Sequence, residues 1–212
     1  MKVMLVNGSP HKNGTTNAAL GVIAEQLGKD GVESEIFWPG AKPISGCIGC
    51  MACAKLGRCV IEGDRVNEFV ELAEKADGFI FGTPTHYAAD AGHITSFMHR
   101  VFYSDFIGRS GSAVRLKPAA AVAVARRAGA VPAFDQLNRM FTICEMPVVS
   151  SRYWNIAFGH NAEELMQDAE GLWTLRTLAR NMAFFLKCIE AGKKLGVTPP
   201  EQEEPVFTNF IR

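Results

Sequence analysis

Apolar runs and stretches of helical spacing alternate along most of this chain. Short, mainly apolar runs predict five strands, at 3–6, 33–38, 78–82, 118–125 and 147–150. Apolar residues at helical spacing predict helices between these strands, and a last helix that runs to about Leu195 with a bend at Gly171. Asp90 and Asn161 stand where a side chain can cap the helix that follows.

Alternation of strands and helices predicts an α/β protein with a doubly wound parallel sheet and helices on both faces. Each crossover is expected to be right-handed, so the carboxyl ends of the strands meet at one edge. Ligands of such sheets bind at that edge, where the winding direction reverses. The segments after the first, third and fourth strands are therefore the candidate ligand loops.

Composition argues against several classes of partner. Of the 212 residues, 48% are hydrophobic and 21% charged, with 22 acidic and 22 basic side chains. This balance leaves no basic excess to neutralise a nucleic-acid backbone, and no stretch reaches the ~20 apolar residues that span a membrane. The apolar start of the chain is too short for an export signal, which predicts a cytoplasmic location. We expect one domain over 1–196 and an extended tail over 197–212.

The segment after the first strand, residues 7–17, leads directly into a helix. Its hydroxyl and amide side chains, with the unpaired N–H groups of the helix start, suit a phosphate. Thr15 stands where a P-loop needs lysine, and only Gly8 and Gly14 are available where the dinucleotide fingerprint needs three glycines. The segment predicts a pocket for a terminal phosphate; the alternative is a polar turn that merely caps the helix.

Two more loops follow the third and fourth strands. In the first, Pro84 stiffens the turn, and His86 or Tyr87 can contact a flat ring that the backbone amides reach. In the second, residues 126–129 carry two arginines, which suit the pyrimidine edge of such a ring or an incoming cofactor phosphate. Taken singly, these residues are more often solvated surface. Their coincidence at one edge of the sheet favours a ligand.

Four of the six cysteines share one irregular loop, residues 39–62: Cys47, Cys50, Cys53 and Cys59. Gaps of two residues let thiolates surround one metal centre, as in ferredoxin-type iron–sulfur loops. The last gap is longer here, and Val60 replaces the usual proline. A [4Fe–4S] cluster, a structural zinc ion and free cysteines remain three open interpretations. Cys144 and Cys188 lie in apolar helical contexts and are predicted to be core residues.

Gly8-Ser9-Pro10 with its Gly/Thr/Asn-rich turn, followed by Thr83-Pro84 and Tyr87, resembles the NADPH-dependent FMN reductase family over most of residues 1–150. The cysteine loop is similar to that of the family's iron–sulfur flavoprotein branch. The resemblance implies a flavodoxin-like sheet of five parallel strands in the order 2-1-3-4-5. Two positions depart from many members: His11-Lys12 replaces an arginine and His86 replaces a tyrosine.

The resemblance also implies where FMN binds. The phosphate would lie against the first loop, at Ser9, His11, Gly14, Thr15, Thr16 and Asn17. The isoalloxazine would be framed by the two later loops, at Thr83, Pro84, Thr85, His86, Tyr87, Arg126, Arg127 and Gly129. Because the flavin carries the chemistry, no side chain is assigned a catalytic role.

The function expected from this resemblance is an FMN-dependent oxidoreductase. NAD(P)H would reduce the flavin, and electrons would pass to a flavin, a quinone or another small acceptor, with the [4Fe–4S] cluster as a relay. The alternative is a non-enzymatic, flavodoxin-like electron carrier that takes electrons from a ferredoxin-like partner protein. Relatives imply a homodimer or homotetramer, and the exposed Phe207 and Phe210 suggest that the tail docks on a neighbouring subunit.

Overall fold

The computed structural model describes residues 1–204, 206–208 and 210. Its strands are β1 Lys2–Asn7, β2 Glu33–Phe37, β3 Gly78–His86, β4 Ala89–Asp90, β5 Ala119–Ala125 and β6 Ile156–Phe158. Its helices are α1 Thr15–Lys29, α2 Cys53–Leu56, α3 Val66–Glu74, α4 Gly92–Arg109, α5 Ala130–Ile143, α6 Ala162–Leu165 and α7 Ala169–Lys194. The first four predicted strands and the helices between them are present, and β3 continues four residues beyond the apolar run.

Five parallel strands form the sheet in the order β2-β1-β3-β5-β6, and the two-residue β4 pairs with β3 in antiparallel fashion. The predicted α/β fold with a parallel sheet is therefore confirmed, and β4 is an addition to it. The predicted strand at 147–150 is wrong, because within the described part of the chain this segment makes only one bridge, from Val148 to Ala119. The last parallel strand is β6, which pairs with the end of β5.

Alternate residues of the central strands face opposite helical layers. In β1, Val3 and Leu5 pack with the apolar residues of α1 and α7, whereas Met4 and Val6 pack with those of α3 and α4. All four side chains are fully buried. A strand segment that is covered on both faces has to be apolar, which is why residues 3–6 of β1 form an unbroken apolar run in the sequence.

The carboxyl ends of β1 and β3 are tied together at the first turn. Gly8 N donates to Gly82 O at 2.8 Å. A Cβ atom on Gly8 would lie 2.6 Å from Ile94 Cβ, so the close approach of α4 requires glycine here. This contact brings the loops after β1 and β3 to the same edge of the sheet.

Two predictions about helix starts need correction. Asp90 does not cap α4, because its carboxylate accepts a hydrogen bond from Thr95 Oγ1 and the N-cap is Ala91. Gly171 does not bend a long helix; it lies in the first turn of α7, where Asp168 Oδ1 accepts from its N–H at 2.9 Å. The predicted cap at Asn161 is present, and Asn161 Oδ1 accepts from Glu164 N at 2.8 Å at the start of the short α6.

Cys144 is buried as predicted, but Cys188 is exposed on α7. Its apolar neighbours Phe184 and Phe185 are exposed as well, so apolar context did not mark the inner face of this helix. No helix in the described part of the chain is long and apolar enough to cross a bilayer.

Candidate functional site

Asn7, the last residue of β1, shapes the loop that leads into α1. Its buried side chain accepts a hydrogen bond from Ser9 N at 3.1 Å and donates to Lys12 O at 3.1 Å. Ser9 Oγ accepts in turn from His11 N at 3.1 Å. These bonds hold the loop in one conformation, so the start of α1 is fixed in place before any ligand arrives.

The start of α1 offers free backbone donors. Gly14 is its N-cap, and no side chain among the described residues caps the helix. The first turn, Thr15 to Asn17, contains no acidic residue to offset the positive end of the helix dipole. A helix N-terminus of this kind is suited to an anion.

Trp38 and Arg65 brace this loop from outside, which the sequence did not reveal. Trp38 Nε1 donates to Ser9 O at 2.9 Å, and Arg65 Nη1 donates to Trp38 O at 2.6 Å. The Arg65 guanidinium also lies 4.2 Å from the centre of the Phe37 ring. The end of β2 thereby supports the segment that follows β1.

The hairpin between β3 and β4 turns at Tyr87 and Ala88. Both have a left-handed backbone, with φ of 51° and 58°, as tight two-residue hairpins require. The Tyr87 side chain is fully exposed at the tip. Gly129, after β5, approaches the hairpin so closely that a Cβ atom would lie 3.1 Å from Ala88 Cα. The loops after β3 and β5 are therefore packed together.

Two threonines of β3 have different surroundings. Thr83 is buried, where its Oγ1 accepts from Ala91 N at 3.1 Å and donates to Pro84 O at 2.9 Å. Thr85 Oγ1 is also buried but has no hydrogen-bond partner among the described residues. Leaving such a hydroxyl unpaired costs about 1–3 kcal/mol. The protein itself therefore leaves the Thr85 hydroxyl unsatisfied.

An open cleft of about 480 Å³ lies at the carboxyl edge of the sheet. Nine predicted cofactor residues line it: Ser9, His11, Gly14, Thr15, Thr16, Pro84, Thr85, His86 and Arg126. The other predicted residues do not line it: Asn17, Thr83, Tyr87, Arg127 and Gly129. Its size falls within the roughly 300–1,000 Å³ of small-molecule sites.

One wall of this cleft contains none of the predicted site residues. The segment from Gly159 to Glu163, after β6, lines it together with Asn13, Val124 and Ala125. Because β6 lies later in the chain than the predicted last strand, this segment falls outside the predicted ligand loops. The capping pattern of Asn161 and Glu164 was the available signal, since it marks a helix start at the ligand edge.

The four clustered cysteines line one small cavity of about 20 Å³. Cys47 and Cys50 are exposed, Cys53 is buried and Cys59 is half-buried. Burial raises the pKa of the Cys53 thiol, and the nearby thiols of Cys47 and Cys50 raise it further. Within residues 1–204, 206–208 and 210, no three Cys, His, Asp or Glu side chains lie close enough to share a metal ion.

Cys53 and Cys59 are held by neighbouring elements. Gly108 of α4 packs so close to α2 that a Cβ atom would lie 2.6 Å from Cys53 O. Asn67 of α3 fixes the backbone of Cys59, donating to its carbonyl at 2.9 Å and accepting from its N–H at 3.0 Å. The inner half of the cysteine loop is therefore anchored, whereas its outer half is exposed.

Arg100 of α4 lies inside the same cavity. Its guanidinium is ion-paired with Asp64, donates from Nη2 to Ile61 O at 2.7 Å and donates from Nε to Cys59 Sγ at 3.3 Å. Burial alone would lower the pKa of Arg100, but the bonds to Asp64 and Cys59 outweigh it and leave the pKa raised. This side chain therefore stays charged.

Comparisons with known proteins identify relatives of this chain. The family model described as NADPH-dependent FMN reductase matches residues 1–161. An iron–sulfur flavoprotein of Methanocaldococcus jannaschii is 29% identical over 197 residues, covering 90% of this chain and 100% of that protein.

Solved structures identify the fold. RosB, whose structure carries 8-demethyl-8-formylriboflavin-5'-phosphate, superposes with a TM-score of 0.71 at 14% identity, covering 100% of this chain and 94% of RosB. An archaeal flavodoxin superposes with a TM-score of 0.58 at 15% identity, covering 88% of this chain and 99% of the flavodoxin. At these identities the likeness concerns the fold alone, which is flavodoxin-like as predicted.

Proposed function

This chain belongs to the NADPH-dependent FMN reductase family and is an oxidoreductase, and we propose that it binds FMN in the carboxyl-edge cleft and transfers electrons from NAD(P)H to a small-molecule acceptor. The observation that carries the proposal is that one cleft is lined both by the uncapped start of α1 and by Thr85, whose buried hydroxyl is unpaired. An anion and a polar ring edge are the groups that these two features can satisfy. FMN, when bound, supplies the hydride-accepting ring.

The first loop would hold the phosphate end of FMN. The N–H groups at the start of α1 would donate to phosphate oxygens, and the hydroxyls of Thr15 and Thr16 line the same part of the cleft. The resemblance implies an arginine in many family members where this chain has His11-Lys12, and of these two residues only His11 lines the cleft, so these two positions place no guanidinium beside the first loop. The helix dipole therefore carries more of the attraction here.

The later loops would hold the ring. Pro84 and His86 line the cleft beside Thr85, whose unpaired hydroxyl would bond a polar ring atom. Arg126, exposed on the facing loop, would lie at the ring edge or meet an incoming nicotinamide cofactor. RosB, a protein of the same fold whose structure carries a riboflavin-5'-phosphate derivative, supports a flavin as the ligand.

A Thr15→Asp variant tests the phosphate site without damaging the fold. An acidic residue in the first turn of a helix stabilises it by about 0.3–1 kcal/mol, because it complements the dipole. The same carboxylate would repel the FMN phosphate. We expect the Kd for FMN to rise about tenfold or more, while the Kd for riboflavin, which has no phosphate, stays unchanged. Fluorescence titration of the apoprotein measures both.

Equal losses for FMN and riboflavin would place the phosphate elsewhere, and no saturable FMN uptake by the unmodified protein would end the proposal. NADPH and NADH are then added to the FMN-loaded protein. Loss of the flavin absorbance supports the oxidoreductase. Bleaching by dithionite or a reduced partner protein alone would favour the electron carrier instead.

We further propose that Cys47, Cys50, Cys53 and Cys59 hold a [4Fe–4S] cluster that relays electrons. Four thiols around one cavity are the donor set that such clusters use. The similarity to an iron–sulfur flavoprotein supports this assignment over zinc. Since no three thiols among the described residues lie within reach of one metal ion, a cluster would require the exposed Cys47 and Cys50 to move towards the anchored Cys53 and Cys59.

Anaerobic purification with iron, sulfide and zinc analysis tests this second proposal. Iron and acid-labile sulfide in equal amounts, about four of each per chain, are expected for a [4Fe–4S] cluster. Cys50→Ser should remove the iron and leave FMN bound. Zinc without sulfide, or neither metal, would overturn the cluster while leaving the FMN proposal intact.

A further inference from the structure

Arg100 is one of the largest fully buried side chains in the described residues, with only 1% of its surface exposed. A buried arginine is rare, because removing its charge from water is costly unless the charge is paired. Asp64 neutralises the charge, and Ile61 O uses a further donor. An apolar residue of similar volume would often stabilise such a position as well as an ion pair does. Packing alone therefore does not account for this arginine.

The hydrogen bond from Nε of Arg100 indicates what this side chain does. Nε donates to Cys59 Sγ at 3.3 Å, which is within hydrogen-bonding range for sulfur. The planar guanidinium holds Asp64, Ile61 O and Cys59 Sγ in one fixed arrangement, which a flexible ammonium group cannot reproduce. Asn67 already fixes the backbone of Cys59, so Arg100 adds control of the sulfur atom itself.

We propose that Arg100 is a positioning residue for the cysteine site: it orients Cys59 Sγ towards the shared cavity and, through the N–H···S bond, raises the reduction potential of the cluster bound there. This inference rests on the proposed four-cysteine site. Cys59 becomes the fixed ligand onto which the exposed Cys47 and Cys50 close. Donation to a cluster sulfur favours the reduced, more negative state, since hydrogen bonds to the sulfurs are among the factors that set cluster potentials.

Cobalt binding tests the positioning role without iron. The FMN-loaded protein, stripped of iron, is titrated anaerobically with Co²⁺, and the long-wavelength absorption of cobalt in a four-sulfur site is followed. Arg100→Lys keeps the positive charge but loses the planar donor set. We expect its Co²⁺ affinity to fall about 10–100-fold, the usual loss when a residue that orients a metal ligand is changed.

Arg115→Lys is the matched control, because Arg115 pairs with Glu145 and does not line the cavity of the four clustered cysteines, so its replacement should leave Co²⁺ affinity unchanged. If Arg100→Lys does not fold, the neutral pair Arg100→Gln with Asp64→Asn replaces it, since neither buried charge is then left unpaired. Equal Co²⁺ affinity in a folded variant and the unmodified protein would overturn the inference. Absence of a four-sulfur cobalt spectrum in the unmodified protein would overturn it together with the four-cysteine site.

The reduction potential of the cluster distinguishes tuning by Arg100 from a purely structural role, because a purely structural role would leave this potential unchanged. In iron-loaded protein, Arg100→Lys should shift the cluster midpoint potential to a more negative value while the FMN potential stays the same. An unchanged cluster potential at full iron content would overturn the tuning role. If the unmodified protein binds Co²⁺ at four sulfurs but is isolated without iron, the electron relay fails, whereas a weaker Co²⁺ affinity in Arg100→Lys still supports positioning.

Discussion

Buried polar side chains in this fold are mostly paired, and one exception suggests a residue-scale test. Asp105 of α4 is fully buried; its Oδ1 accepts from Ala113 N at 3.1 Å, but Oδ2 has no partner among the described residues. Burial raises the pKa of Asp105, although nearby Arg109 and Lys117 oppose that shift. Burial raises the pKa of Cys144 to about 11, and the negative charge of the Asp105 carboxylate contributes a smaller part of this rise.

Asp105→Asn should stabilise the protein in a pH-dependent way. The pKa of Asp105 is higher in the folded state than in the unfolded state. Ionisation of Asp105 therefore destabilises the folded state, and this destabilisation increases as pH rises through the folded pKa. Asn keeps the Oδ1 acceptor and removes the buried charge. We expect a gain of about 1 kcal/mol in the free energy of unfolding at pH 7.

The gain should disappear below the ordinary aspartate pKa of 3.8, where both states of the unmodified protein are protonated. Urea denaturation across the pH range measures it, with the exposed Asp135→Asn as the control. A variant that is no more stable than the unmodified protein at pH 7 would contradict the argument.

At the scale of elements, α4 performs two tasks along its length. Its apolar residues, among them Ile94, Phe97 and Val101, fill the core beneath the sheet. Its other positions carry Arg100 and Gly108, which hold Cys59 and Cys53. The same helix therefore contacts both the core and the cysteine loop. A substitution at a position of α4 that contacts the loop should alter the loop's structure.

Gly108→Ala should separate these two tasks. Alanine usually stabilises a helix interior by about 0.5–1 kcal/mol relative to glycine. At Gly108, however, the new Cβ would lie 2.6 Å from Cys53 O and 3.1 Å from Gly57 Cα, both backbone atoms. We expect a loss of about 1–3 kcal/mol, as for other overpacked sites, together with weaker metal uptake by the cysteine loop.

The matched control is Gly21→Ala in α1, where nothing lies within 4 Å of the added Cβ. This variant should be slightly more stable than the unmodified protein in the same urea denaturation series. If both variants gained stability equally, the close approach of α2 to α4 would be wrong.

At the scale of the whole molecule, the tail and α7 carry complementary surfaces. The tail contains Glu201, Glu203 and Glu204, followed by Val206, Phe207 and Phe210, whose exposed fractions are 91%, 88% and 88%. The outer face of α7 is aromatic and basic: it presents Trp173, Arg180 and Phe184, and Arg152 lies 3.6 Å over the Trp173 ring. Exposed apolar groups in such number are typical of an interaction surface.

We expect the tail to bind α7 of a second copy, which would account for the homo-oligomer implied by relatives. Deleting residues 197–212 should then lower the molar mass of the protein, as measured by light scattering after size-exclusion chromatography. Arg180→Glu should weaken the assembly in the same direction, because it repels the acidic tail. A control deletion of the last two residues alone should change nothing. Unaltered mass after the full deletion would rule out the tail as the interface.

The sequence by itself determined the order of elements and much of the cleft. Residues 3–6 of β1, residues 78–82 of β3 and all of β5 are buried, so these runs contain no polar side chain and are easily recognised. Nine candidate residues lie together because parallel strands deliver the loops that follow them to one edge. The spacing of the four clustered cysteines is also visible in the sequence, because they lie within thirteen consecutive residues.

Only the tertiary structure decided the features that depend on contacts between residues far apart in the sequence. Among the described residues, β6 is three residues long and pairs only with the end of β5, so the apolar pattern predicts the last strand in an earlier run and does not reveal the wall from Gly159 to Glu163. Arg100 lies 41 residues from Cys59, and no periodicity links the two. Local pattern records which face of an element is apolar, whereas the pairing of a buried charge with a sulfur is set by how separate elements pack.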